Sequence, residues 1–286
     1  MTDNKSNVLN RVFTRNALRQ WIGLKAENTY VSVVKRYSED PEKKKNAELI
    51  SEIYSELKKN YRNEYFYKNT LLNKLLLGIH SVNTTTALTE IPVAKSKADF
   101  VLINGKAVVY EIKTELDNFE RLESQLNDYY RAFNYVAVVT YKENLKALMK
   151  KIELMQKPIG VYILQKNGRL STIRKPEEYN NSLDANILFK ILRKPEYEAI
   201  LLKKYGETPN VSQFRYYTEC KKMFLNIPIS EAHSYVVDQL KKRNMIIKED
   251  FVKVPYELKF LAYFMELKSE DYLRLNIFLE QQFEGG

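Results

Sequence analysis

Cysteine and histidine are almost absent from this chain of 286 residues: Cys220 is the single cysteine, and His80 and His233 are the two histidines. A disulfide framework needs paired cysteines and a zinc centre draws on several Cys or His ligands, so neither is expected. Nucleophilic triads lack support for the same reason. His80 follows a glycine at a helix end with no Ser or Cys motif nearby and reads as a turn or surface histidine, and Cys220 reads as a small buried residue. A lone cysteine suits a reducing compartment. Long apolar runs are missing too: nothing approaches the roughly 18 residues of a membrane-spanning helix. The opening Met1-Thr2-Asp3-Asn4-Lys5 has no apolar core for a secretion signal. A cytoplasmic protein without membrane contact is expected.

Charge is present in excess and is unevenly distributed. The formal net charge is +10; residues 1 to 179 carry 30 basic and 21 acidic side chains, against 16 and 15 in residues 180 to 286. A regional positive excess attracts phosphate backbones through counterion release without reading their sequence. Lys43-Lys44-Lys45, Lys58-Lys59 and Lys150-Lys151 are candidate contacts, although a single lysine run is usually a solvated helix face.

The densest signal is residues 98 to 113. Two apolar, β-rich runs flank Asn104-Gly105, a hairpin turn signal, with Asp99 at the start of the first strand and Glu111-Ile112-Lys113 at the end of the second. The two-residue period of a strand puts Glu111 and Lys113 on one face and Tyr110 and Ile112 on the other. Asp99 shares the face of Glu111 only under one turn geometry. A two-residue turn would set Asp99 opposite Tyr110 and aim it away. A three-residue loop, or a bulge with Gly105 at positive φ, restores the common face, and that is the expectation. Such a hairpin offers hard oxygen ligands for a divalent ion and a cation for phosphate.

A helix should follow, starting at Asp117 with Glu120 in capping-box spacing. Phe119, Leu122, Leu126, Tyr129 and Phe133 recur on one face, and Gln125 lies on it four residues before Tyr129. Read in isolation, Gln125 is a boundary amide and Tyr129 a core residue.

In this order, Asp99, Glu111-x-Lys113 and Gln125-x-x-x-Tyr129 resemble the PD-(D/E)XK nuclease superfamily. The Gln-x-x-x-Tyr element is similar to that of its RecB-type and CRISPR-associated exonuclease branches. More narrowly, residues 62 to 140 resemble an uncharacterised bacterial and phage family of restriction-endonuclease-like proteins. One departure is that Lys97-Ala98 precedes Asp99, where a proline is usual. The resemblance implies a restriction-endonuclease-like α/β core in which Asp99 and Glu111 hold magnesium or manganese, with the Ile112 carbonyl as a further ligand. Lys113 would orient the attacking water or neutralise charge on the phosphate. It also implies a glutamate on a helix before the hairpin, for which Glu64 stands in place. The bland reading of Glu64 is an i,i+4 pair with Lys68 on a solvated helix. Glu90, beside Pro92 in a strand-like run, is a second acidic candidate.

The organisation expected is a mixed α/β sheet flanked by helices. Residues 1 to 78 form an N-terminal helical region, 79 to 176 the nuclease-like core, and 177 to 286 a mainly helical C-terminal domain. Tyr135 to Thr140 reads as a buried strand, Lys142 to Met155 as a helix, Gly160 to Gln165 as a strand, and Asn167-Gly168 as a turn. Ser230 reads as a helix cap. The Arg215-Tyr216-Tyr217 cluster admits nucleic-acid stacking, but local charge is near neutral and aromatic residues at that spacing are usually core. The function expected is a metal-dependent nuclease on DNA, in defence, repair or mobile-element biology. The alternative is a non-catalytic module binding nucleic acid, or another protein or a second copy through its C-terminal part.

Overall fold

The computed structural model describes residues 8–79, 82–243 and 246–284, so His80 lies outside the described residues. Five helices come first: α1 (Leu9–Val12), α2 (Arg15–Ile22), α3 (Asn28–Tyr37), α4 (Asn46–Asn60) and α5 (Glu64–Leu71), the last running on into a π-helical turn over Leu72–Leu77. Asn63 caps α5, its side chain accepting from Phe66 N–H at 3.0 Å, and so places Glu64 in the first turn. Six strands then make one sheet in chain order: β1 (Thr86–Val93), β2 (Ser96–Asn104), β3 (Lys106–Ile112), β4 (Tyr135–Thr140), β5 (Gly160–Leu164) and β6 (Leu170–Arg174). The pairings β3–β4 and β4–β5 are parallel and the others antiparallel. Parallel neighbours need crossovers. These are supplied by α6 (Leu122–Tyr129) and α7 (Leu145–Glu153).

The central strands are apolar on both faces because both are covered. Phe100, Leu102, Val108, Tyr110 and Val139 join a core with the N-terminal helices, while Val101, Ile103, Ala107, Val109 and Val138 join a second core with Leu126 and Tyr129 of α6. The segment after Pro176 is mainly helical and divides between the two layers. Helices α8 (Ala185–Ile191), α9 (Lys194–Tyr205), α10 (Gln213–Leu225) and α11 (Ile229–Lys241) extend the α6 side. Helices α12 (Lys248–Phe251), α13 (Lys259–Phe264) and α14 (Ser269–Glu280) return to the N-terminal side. There Asn46 ties them in: its side chain accepts from the Tyr30 hydroxyl at 2.7 Å and donates to the Phe278 carbonyl at 3.0 Å. No helix among the described residues is long and apolar enough to cross a membrane.

Two helix starts differ from expectation. Helix α6 begins at Leu122, not Asp117, because the Asp117 carboxylate is taken by the Thr114 N–H and hydroxyl, both at 2.8 Å, and braces the turn after β3. Ser230 lies inside α11, whose N-cap is Pro228. In α10, Phe214 is exposed, while Tyr217 lies half-exposed against Phe189 and Tyr216 bonds Glu198, so this aromatic run is only partly core.

Gly160 marks the closest approach of β5 to its surroundings. A Cβ there would lie 2.7 Å from Pro176 Cδ and 3.0 Å from Ala137 Cβ. Overpacking of this kind costs about 1–3 kcal/mol. Gly160→Ala is therefore expected to lower the denaturant midpoint without changing its slope, and an unchanged midpoint would contradict the contact.

Candidate functional site

The site begins with the hairpin register. Ile103 pairs with Ala107 and Asn104 with Lys106, which leaves Gly105, at φ +70°, between the last paired residues. The register has the odd parity the expectation required, with Gly105 at positive φ. Carried on from Phe100↔Tyr110, the register sets Asp99 opposite Glu111, on the same face. The β1–β2 register, through Thr89↔Phe100 and Ile91↔Ala98, sets Glu90 opposite Asp99. Three carboxylates therefore stand in a row across three adjacent strands. Glu90 takes φ +57°, a left-handed conformation that costs a non-glycine residue on the order of 1 kcal/mol.

Around this row the side chains are tied to one another. Asp99 Oδ2 accepts from the Ile112 N–H at 2.8 Å. Glu111, 1% exposed, receives the Lys113 ammonium on Oε1 at 2.8 Å and lies 2.6 Å through Oε2 from the Tyr129 hydroxyl. Lys113 also donates to Gln125 Oε1 at 2.9 Å. The helix face that carries Gln125 and Tyr129 thus clamps both ends of the Glu111–Lys113 pair. On the other side of Asp99, the nearly buried Lys68 ammonium bridges Glu64, at 2.5 Å, and Glu90, which also pairs with Lys97 at 3.2 Å.

These neighbours decide the ionisation. Burial and then the Glu111 charge push the Asp99 carboxyl up to about 8, against the opposing pull of the Ile112 N–H. Burial acts to raise Glu90, but the Lys68 and Lys97 ammonium groups outweigh it and hold Glu90 below the usual carboxylate range. Burial acts to lower Lys68, and Glu64 and Glu90 reverse the sign, so its pKa is raised. Burial first, then the Glu111 charge, drives the Tyr129 phenol far upward and keeps it a donor.

Of the expected ligands, Asp99 and Glu64 converge, with Glu90 where Glu111 was expected. Glu64, Glu90 and Asp99 each present an oxygen within 4.8 Å of the others. Opposite ligands of an oxygen-bound divalent ion stand about 4–5 Å apart, so this all-oxygen set fits magnesium or manganese in span and in chemistry. Glu111 is outside that trio, engaged by Lys113 and Tyr129. The Ile112 N–H donates to Asp99, on the strand edge that also carries the Ile112 carbonyl. The choice between Glu64 and Glu90 dissolves, because both are present. Lys68, which the i,i+4 spacing alone would leave on a solvated helix, is buried between two acids. Its only sequence signal was the i,i+4 spacing from Glu64, and nothing local linked it to Glu90.

The lysine runs are mostly spoken for. Lys43, Lys44 and Lys45 pair with Asp40, Glu52 and Glu280, and Lys151 bonds the Phe119 carbonyl. Lys59 lies 3.6 Å from Glu56, and Lys58 lies over the Gly168 turn.

Taken together, these observations define a six-stranded mixed-sheet α/β protein with an acid-and-lysine constellation at one end of its central hairpin. The chain belongs to the family described as Bacteriophage P4 protein cII, which matches residues 57–260 and thus every residue of this constellation. Among curated proteins it is similar to Protein cII of Enterobacteria phage P4, at 24% identity over 195 residues, covering 66% of this chain and 67% of that one. No solved structure matches the chain.

Proposed function

We propose that this protein is a metal-dependent nuclease of PD-(D/E)XK type, hydrolysing phosphodiester bonds, DNA foremost. The observation that carries the reading is the placing of Asp99, Glu111 and Lys113 on one face of adjoining strands, with Glu64 and Glu90 completing the acidic group. Magnesium or manganese held by Glu64, Glu90 and Asp99 would polarise a phosphate oxygen and lower the pKa of a bound water. The chain's own residues do the rest. Ile112 N–H fixes the Asp99 carboxylate, while Glu111 and Gln125 hold the Lys113 ammonium where it meets charge developing on the phosphate. Tyr129 prevents Glu111 from rotating away. A relative from phage P4 supports a mobile-element setting, with defence or repair as neighbouring contexts.

One observation favours a second reading. Lys68 already neutralises Glu64 and Glu90, as a purely structural network would, leaving a binding module without hydrolysis. Incubation of linear, circular and single-stranded DNA and of RNA with magnesium or manganese separates the two. Metal-dependent cleavage by the wild type that disappears in Asp99→Ala and Lys113→Ala is expected. Binding without cleavage on all substrates would transfer the protein to the second reading.

A further inference from the structure

A cleft away from the acidic cluster has a different character. It lies between the C-terminal end of the helix that begins at Glu64 and the β5–β6 hairpin, and its volume is about 740 Å³. Lys74, Arg169 and Lys175 stand on its rim, all exposed, and no carboxylate lines it. Among the described residues, none of the three is in an ion pair. The floor is aromatic and apolar. Tyr162 and Tyr110 meet edge to face with centroids 5.6 Å apart, and Ile79, 68% exposed, forms one wall. Three unneutralised cations around a floor of this kind match a ligand that joins anionic groups to a flat apolar one. The volume falls within the roughly 300–1,000 Å³ of small-ligand sites.

We propose that this cleft binds one nucleotide of a single-stranded polynucleotide, with backbone phosphates against Lys74, Arg169 and Lys175 and the base against Tyr162. A duplex hides its bases in the stack and offers only phosphates, so the apolar floor selects an unpaired strand. The inference goes beyond the proposed hydrolysis and does not depend on it. Lys74 and Glu64 occupy opposite ends of one helix, about 15 Å apart along its axis, so cleft and acidic cluster are separate places on the surface.

The test is fluorescence anisotropy of a labelled single-stranded oligodeoxynucleotide of about 12 nucleotides, in EDTA so that no cleavage intervenes. Lys74→Glu/Arg169→Glu/Lys175→Glu is expected to weaken binding by at least about tenfold and to flatten the dependence of log K on log salt by about 2. An equal reversal at the exposed Lys25, Lys241 and Lys242 is expected to have much the smaller effect. Tyr162→Leu is expected to cost roughly fivefold or more on the intact strand and nothing on an abasic strand, a difference that a merely structural tyrosine would not produce. Equal losses from both triple reversals, equal effects of Tyr162→Leu on both strands, or equal affinity for a free mononucleotide would each overturn the proposal. Strand binding at this cleft with no metal-dependent cleavage would leave it standing while the hydrolytic reading fell.

Discussion

An Asp99→Asn variant is expected to lose nucleic-acid cleavage by a factor on the order of a thousand and yet to resist urea better than the wild type at pH 8 and above. Both effects come from one carboxyl group. In the folded chain, burial and Glu111 push it up to about 8, whereas in the unfolded chain it titrates near 3.8. Below about pH 4 the group is protonated in both states and carries no penalty. Between pH 4 and pH 8 the unfolded chain has released the proton and the folded chain has not, so stability falls as pH rises; above pH 8 the penalty is constant. Asparagine carries no proton to lose and retains an oxygen for the Ile112 N–H. The stability difference between variant and wild type should therefore widen from pH 5 to pH 9, by an amount on the order of a few kcal/mol. Urea titrations at those two pH values in EDTA read it directly, and a difference independent of pH would remove Asp99 from the strained acidic row.

Glu111→Ala should have the largest effect on the fold. The Glu111–Lys113 pair is buried, with side chains 1% and 9% exposed, and removal of the acid leaves an ammonium with Gln125 as its remaining partner. Breaking one side of a buried pair costs about 3–5 kcal/mol, which for a chain of this size lowers the melting temperature by on the order of 10 °C. Removing both charges together avoids the orphaned ion. Glu111→Leu/Lys113→Met is accordingly expected to melt closer to the wild type than Glu111→Ala does, while remaining inactive. Thermal melts of the three proteins decide the matter. If the double variant is as unstable as the single one, the buried charge is not what makes the pair necessary.

The hairpin was legible because its information is local. An Asn-Gly pair admits few turn geometries, and the two-residue period of a strand then decides which side chains share a face, so Asp99, Glu111 and Lys113 follow from spacing once Gly105 takes positive φ. The face of α6 was legible for the same reason, with Leu122, Leu126 and Tyr129 all buried. Its start was not. Asp117 has the composition of a cap, but a carboxylate serves whichever donor reaches it first, and the Thr114 amide and hydroxyl are nearer than the helix.

By itself, then, the sequence determined the strand faces, the turn and the order of acid, acid, lysine and glutamine, since each depends on neighbours a few positions apart. Tertiary structure alone decided that Glu64 and Glu90 stand beside Asp99 with Lys68, 22 residues before Glu90, between them, and that the helices beyond Pro176 divide between the two faces of the sheet. Both depend on burial and charge pairing across elements far apart in the chain. Those terms take their values only once the layers have closed.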